Sequence, residues 1–174
     1  LLLDIGANTE VKPQYLYQFG LLGSIYMEKV IGRYRPRVAL LANGEEETKG
    51  SLVVQEAHKL LRASRLNFVG NVEGRDIPTG DKADVVVCDG FVGNVVLKLS
   101  EGLSDTLFGL IKTELTRSLL SKLAAAAMMP AFRSKAKAIR NALRVAQRGS
   151  EQRMVEAVSE GLAVPAVDSP PAAG

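Results

Sequence analysis

The sequence holds one cysteine, one histidine and no tryptophan in 174 residues. A lone Cys88 excludes an internal disulfide framework and points to a reducing compartment, the cytoplasm. One Cys and one His cannot build a zinc site, so no metal is expected. A Ser-His-Asp relay would have to use His58, which lies mid-helix, far from any strand end, and reads as a surface histidine rather than a base. Aromatic residues make up 5% of the chain, too few for base stacking to be its business, so nucleic acid is not an expected partner. No apolar run approaches the ~20 residues that span a bilayer. Leu1 opens a strand without a charged leader, so no signal peptide is expected. A strand at the first residue, without Met, reads as a chain cut from something longer. Cofactor motifs are absent as well. The stretch from Gly44 to Ser51 approaches a phosphate loop, but Lys49 precedes Gly50 where the motif needs Gly before Lys, and three glutamates would repel a triphosphate. No G-x-G-x-x-G follows a strand, which removes the dinucleotide fingerprint. No cofactor is expected.

The residues that are present are 47% hydrophobic, enough for the core of one domain. Four apolar runs, Leu1 to Ile5, Val38 to Ala42, Leu66 to Val69 and Val85 to Cys88, each stop at a polar, Gly- or Asn-bearing loop. Runs of this length and composition read as buried strands. Helical patterns separate several of them: one opens near Pro13 and ends at Gly32, and another spans about Ser51 to Ser64. A long helix follows Gly93, with Leu103, Leu107, Ile111, Leu115 and Leu119 among its apolar residues. The spacing predicts an α/β fold, a parallel-rich sheet with flanking helices. Gly20, Gly23 and Ser24 inside the first helix predict a close approach of another backbone. One α/β domain is expected over residues 1–163, with helical patterns at Lys135 to Gln147 and Glu151 to Leu162. A Pro- and Ala-rich disordered tail is expected over 164–174. Between Ile111 and Arg148 there are nine basic residues and one acid, Glu114. That segment is either a solvated helical face or a surface for an acidic partner or anionic lipid.

A parallel sheet gathers its C-terminal strand ends on one rim, where ligands bind. Two of the loops on that rim share a logic. Asp89-Gly90-Phe91-Val92-Gly93-Asn94 joins a strand to a helix whose first amides form a ready anion site. Gly90 and Gly93 permit tight turning there, and Asn94 can cap the helix or bond a ligand oxygen. Lys98, one turn on, can reach an anion or stand as a surface lysine. Asp4-Ile5-Gly6-Ala7-Asn8 repeats the arrangement, with Lys12 beside the next helix. The two loops together could clamp a small anion and an acyl carbonyl. Arg75 is the only arginine among the four loops, a partner either for phosphate or for Asp76. Glu45, Glu46 and Glu47 are expected to open the second helix, where acids suit its dipole. Cys88 is expected to be packed.

Four stretches (LLLDIGAN at Leu1, GSIYMEKV at Gly23, NFVGNVEGRDI at Asn67 and ADVVVCDGFVGNVVLK at Ala83) stand in order and at the family's spacing. From Leu1 to about Arg148 the chain resembles the PlsX family of bacterial phosphate acyltransferases, acyl-carrier-protein:phosphate transacylases. The resemblance implies attack of inorganic phosphate on a long-chain acyl carrier protein thioester, yielding acyl phosphate for phospholipid synthesis. It also implies a fold similar to phosphotransacetylases and the isocitrate dehydrogenase-like group, a homodimer, and peripheral association with the inner face of the membrane. In the family, a segment corresponding to Leu115 to Phe132 lies in a projecting helical region implicated in membrane contact. On this reading Asn8, Asn94, Arg75 and Lys98 are the catalytic set. Asp4, Gly6, Lys12, Asp89, Gly90 and Gly93 bind substrate. The family's N-terminal half is missing before Leu1, and residues that the family carries are missing between Arg133 and Ser134. Two other readings stay open: a short-chain phosphotransacetylase, and a non-catalytic fragment that binds acyl carrier protein or anionic lipid through its basic helices.

Overall fold

The computed structural model describes residues 1–117. The expected break between 133 and 134, the two later helical patterns and the 164–174 tail lie outside the described residues. Four strands form one sheet: β1 (Leu2–Leu3), β2 (Arg37–Leu41), β3 (Asn67–Val72) and β4 (Val85–Val87). Their order is β1-β4-β2-β3 and every pairing is parallel. Helix α1 (Pro13–Tyr26) carries the chain from β1 to β2, α2 (Leu52–Arg62) from β2 to β3, and α3 (Gly90–Thr116) follows β4. The architecture is the expected α/β sheet with flanking helices.

Alternation along the strands divides the core between two faces. Val38, Leu40, Val85 and Val87 pack with Leu16 of α1 and with Ala57 and Leu61 of α2. On the other face Ala39 and Val86 pack with Val72 and Ala83. All three residues of β4 are buried, as a central parallel strand covered on both sides requires. The small residues of α1 have a steric reason: a Cβ on Gly23 would stand 2.5 Å from Val85 Cγ1, and one on Gly20 would stand 3.0 Å from Leu61 Cδ2. The helix lies this close to side chains of the sheet and of α2 rather than to another backbone. It widens into a π-helical turn at Met27–Ile31 and ends at Gly32, whose φ of 79° suits glycine.

Two boundaries and one side chain depart most from the periodicity. β3 does not stop at Val69. Val38 pairs with Phe68 and Leu40 with Asn71, so β3 carries an extra residue there, and Gly70 takes a φ of 97°. This is a bulge within the strand. The long helix opens at Gly90 rather than after Gly93, because the Asp89 carboxylate accepts the Val92 amide at 2.8 Å and caps it. His58 is buried at 5% exposure, not on the surface, and meets Phe68 edge to face at 4.9 Å. Its place on the inner face of α2 follows from Ala57 and Leu61, which share that face. At the opposite rim Arg37 clasps Asp84 through Nε at 3.0 Å and joins the starts of β2 and β4.

Candidate active site on the C-terminal rim

Strand order sorts the four loops into two neighbouring pairs. The loops after β1 and β4 adjoin, as do those after β2 and β3, and β4 beside β2 brings the pairs together on one edge.

In the first pair, Asp4 is the anchor. Its buried carboxylate accepts the amides of Gly6 and Ala7 at 2.9 Å and that of Asn8 at 2.7 Å, with Asn8 Nδ2 at 2.9 Å. Burial works against the charge, but the amides of Ala7, Gly6 and Asn8 and the Asn8 side chain together hold the carboxyl below the usual range. The amides of this loop therefore converge on an internal anion. Asn8 in turn uses its carbonyl to accept the Gly90 amide at 2.7 Å. Gly90 and Gly93 are required by this junction. A Cβ on Gly90 would meet the Asn8 backbone at 2.8 Å, and one on Gly93 would fall 1.8 Å from the Asp4 carbonyl oxygen. Asn94 follows in α3, and its side chain lies over Gly6. It does not cap the helix, since Asp89 does. Asn8 and Asn94 are thus exposed residues on one fused backbone unit, with one hydrogen of the Asn8 amide given to Asp4. Lys98, one turn beyond Asn94, is exposed and 3.1 Å from Glu101, a loose surface pair. Lys12 sits at the N-cap of α1, exposed, without a side-chain cap bond. Cys88 is packed as expected; burial, then the charges of Asp89 and Asp4, push its thiol up to about 12, so it is no nucleophile.

The second pair forms a cavity of about 570 Å³ lined by Asn43, Gly44, Glu45, Glu46, Lys49, Glu73 and Arg75. Arg75 enters it from a 3₁₀ turn (Gly74–Asp76) and pairs with Glu73, not with Asp76. Asp76 bonds Lys82 at 3.1 Å, and Lys82 reaches Glu45 at 2.5 Å. The three glutamates do not open α2. Ser51 caps that helix, and Glu45 and Glu47 are spent on Lys82 and Arg62. Glu45, Glu73 and Asp76 lie close enough to hold an ion, but Lys82 already neutralises two of them.

Lys49 is the residue that sequence reasoning passed over. Its stem crosses Gly44, where a Cβ would stand 2.7 Å from Lys49 Cγ, and among the described residues it has no ion-pair partner. The only cue was a lysine closing the acidic run after β2, and it was read as a failed phosphate loop. The rim therefore offers two amide side chains over β1 and β4, and a lysine and an arginine over β2 and β3. Such an arrangement can hold an anion beside a polarised carbonyl.

Comparison with known proteins gives the same direction. Residues 1–154 match the profile of a family described as fatty acid synthesis protein. A relative from Heliobacterium modesticaldum is 49% identical over 92% of this chain and 56% of its own length, and one from Pelotomaculum thermopropionicum is 42% identical over 93% and 56%. A third, from Syntrophotalea carbinolica, is 54% identical over 77% of this chain and 38% of its own. Each of the three is named phosphate acyltransferase. The chain spans about half the length of the curated relatives it matches.

Proposed function

Since the chain belongs to the fatty acid synthesis protein family, we propose that the intact protein is a phosphate acyltransferase. It moves a long-chain fatty acyl group from acyl carrier protein to inorganic phosphate and gives an acyl phosphate. The observation that carries this reading is the cavity lined by Lys49 and Arg75, on the same sheet edge as the loops that bear Asn8 and Asn94.

The chemistry asks for positioning. Phosphate is already a nucleophile and a thiolate leaves readily. Lys49 and Arg75 hold the phosphate dianion in the cavity, where Lys82 offsets Glu45 and Arg75 exchanges its Glu73 partner for phosphate. One phosphate oxygen attacks the thioester carbon, a C–O bond forms, and the carbonyl oxygen becomes an oxyanion. Asn94 and Asn8 donate to that oxyanion and are worth most as its charge develops. The C–S bond then breaks, and the carrier's thiolate departs and takes a proton from water. Asp4 acts at one remove: by gathering the loop amides it fixes Asn8 against α3. Lys98 stands one turn from Asn94 and adds positive charge to the approach.

The reading extends to a second copy as partner and to a place at the inner membrane face. Its support is the row Phe91, Val95, Leu99, Leu103, Leu107 and Ile111, exposed at four-residue spacing along α3. Among the described residues no helix is long and apolar enough to cross a membrane. Beyond Arg117 the 115–132 segment lies outside the described residues. Flotation of the intact protein with neutral and anionic liposomes tests it, and an absence of any lipid-bound fraction would rule out the membrane role.

The mutational test of the reaction is Asn94→Ala. Turnover should fall about tenfold or more while the unfolding midpoint stays that of the wild type. Near-normal turnover in a normally folded variant would remove Asn94 from the mechanism.

A further inference from the structure

Asn71 is the one described residue with a buried side-chain polar atom left unpaired: the residue is 6% exposed and its Oδ1 accepts nothing. Its Nδ2 donates to the Glu46 carbonyl at 2.8 Å. That same carbonyl accepts the Lys49 amide at 3.0 Å. The turn from Glu46 to Lys49 is therefore tied to the interior of the sheet by one side chain from another strand. The loop's other backbone ties are local, the Gly50 amide to Asn43 Oδ1 at 2.8 Å and Gln55 Nε2 to the Gly50 carbonyl at 3.0 Å, and its other distant ties, Glu45 to Lys82 and Glu47 to Arg62, are exposed side-chain pairs.

The bulge in β3 aims Asn71 there. Phe68 packs with the helix-side core and Val72 with the opposite one. In an unbroken strand, residues 68, 70 and 72 would share a face. The extra residue at the bulge turns Asn71 to the helix side, where the loop after β2 returns, and glycine at 70 supports the φ of 97° that this needs. An apolar residue at 71 would leave no orphan acceptor. A buried group kept at such a cost, on a bulge that re-aims it, is the kind of feature found beside functional sites.

We propose that Asn71 is a positioning residue that holds the Glu46–Lys49 turn so that the Lys49 ammonium meets phosphate in the cavity. This rests on the reading of Lys49 as a phosphate ligand. The test measures the phosphate dependence of thiol release from a long-chain acyl carrier protein by the intact protein. Asn71→Leu removes the tether and the orphan acceptor together, so the unfolding midpoint should not fall. The phosphate KM should rise about fivefold or more, with kcat within about twofold and the KM for the acyl carrier protein unchanged. Lys49→Ala should raise the phosphate KM at least as far. The double variant should be no worse than Lys49→Ala alone, since Asn71 acts through Lys49. An unchanged phosphate KM in Asn71→Leu, or additive effects in the double variant, would overturn the proposal. If Asn71→Leu does not fold, Asn71→Asp takes its place. A protonated carboxyl can donate to the Glu46 carbonyl and a carboxylate cannot, so this variant's phosphate KM, relative to wild type, should improve as pH falls. A ratio independent of pH would contradict the proposal. Wild-type protein without any phosphate-dependent turnover would sink the underlying reading instead, a different failure from normal turnover with an additive cycle.

Discussion

Gly93→Ala should be severely destabilising, and the structure gives the scale. The added Cβ would stand 1.8 Å from the Asp4 carbonyl oxygen, 2.9 Å from its carbon and 3.0 Å from Cys88 Sγ. The obstacle is backbone, which cannot rotate away. To reach even a 3.0 Å contact, the start of α3 and the end of β1 must part by about 1.2 Å. Three hydrogen bonds bridge that gap: Cys88 amide to Leu3 carbonyl at 2.6 Å, Asp4 amide to Cys88 carbonyl at 3.0 Å, and Gly90 amide to Asn8 carbonyl at 2.7 Å. Overpacking costs about 1–3 kcal/mol, and each weakened bond adds roughly 0.5–1.5 kcal/mol. A loss of about 3–6 kcal/mol is expected, a large part of the ~5–15 kcal/mol available to a domain. Urea unfolding measures it, as a midpoint lower by more than ~1 M. The same substitution at Gly102, farther along α3, supplies the control. Apart from the helix's own backbone, no atom lies within 4 Å of a Cβ there, so the gain in helix propensity, about 1 kcal/mol, should raise the midpoint. If Gly93→Ala unfolded within ~0.5 kcal/mol of wild type, the fused junction between the first and fourth loops would be wrong, and with it the placing of Asn8 and Asn94 on one backbone unit.

Three further outcomes follow from the protonation and burial of single groups. Hydrogen bonding by Arg37, against the cost of burial, holds Asp84 down at about 2, so this clasp is fully stabilising above the unfolded value near 3.8 and is lost as pH falls toward about 2. It should contribute about 2 kcal/mol, and Asp84→Asn should flatten the acid limb of the stability profile; an unchanged limb would contradict the clasp. Burial against Phe68 lowers the pKa of His58 below 6.5, so the unfolded chain takes up the proton first and stability declines as pH drops through that value. His58→Leu should remove this slope between about pH 7 and pH 5, and a slope that persists in the variant would place the titration elsewhere. Cys88 should resist a thiol-specific reagent in the native state and react on unfolding; rapid native labelling would contradict its burial.

The sheet was legible because parallel strands covered on both faces are continuous apolar runs, and Val85 to Val87 and Val38 to Leu40 are such runs. The rim was legible for a related reason: once the strands are parallel, their loops share an edge. What periodicity could not carry was the order β1-β4-β2-β3, and so which loops would meet. The partner of each charge was equally hidden. Arg75 beside Asp76 in sequence suggests a pair, yet the 3₁₀ turn sends Arg75 to Glu73 and leaves Asp76 to Lys82. Gly70 looked like the end of a strand because glycine punctuates both loops and bulges. Only the register shows the bulge, and with it the buried position of Asn71. Lys49 was masked by its acidic neighbours, two of which, Glu45 and Glu47, pair with Lys82 and Arg62 from elsewhere in the chain. His58 misled because a single polar residue on a short helix does not reveal which way the helix turns. The motifs that carried the family resemblance proved the firmest signal, since the family profile covers residues 1–154.

The most direct test of the central claim is product analysis with the intact protein, a long-chain acyl carrier protein thioester and inorganic phosphate. The account predicts acyl phosphate, trapped by hydroxylamine as the hydroxamate in step with the thiol released, and no thiol release when phosphate is left out. Thiol release without phosphate, free fatty acid as the primary product, or turnover of acetyl thioesters alone would contradict it.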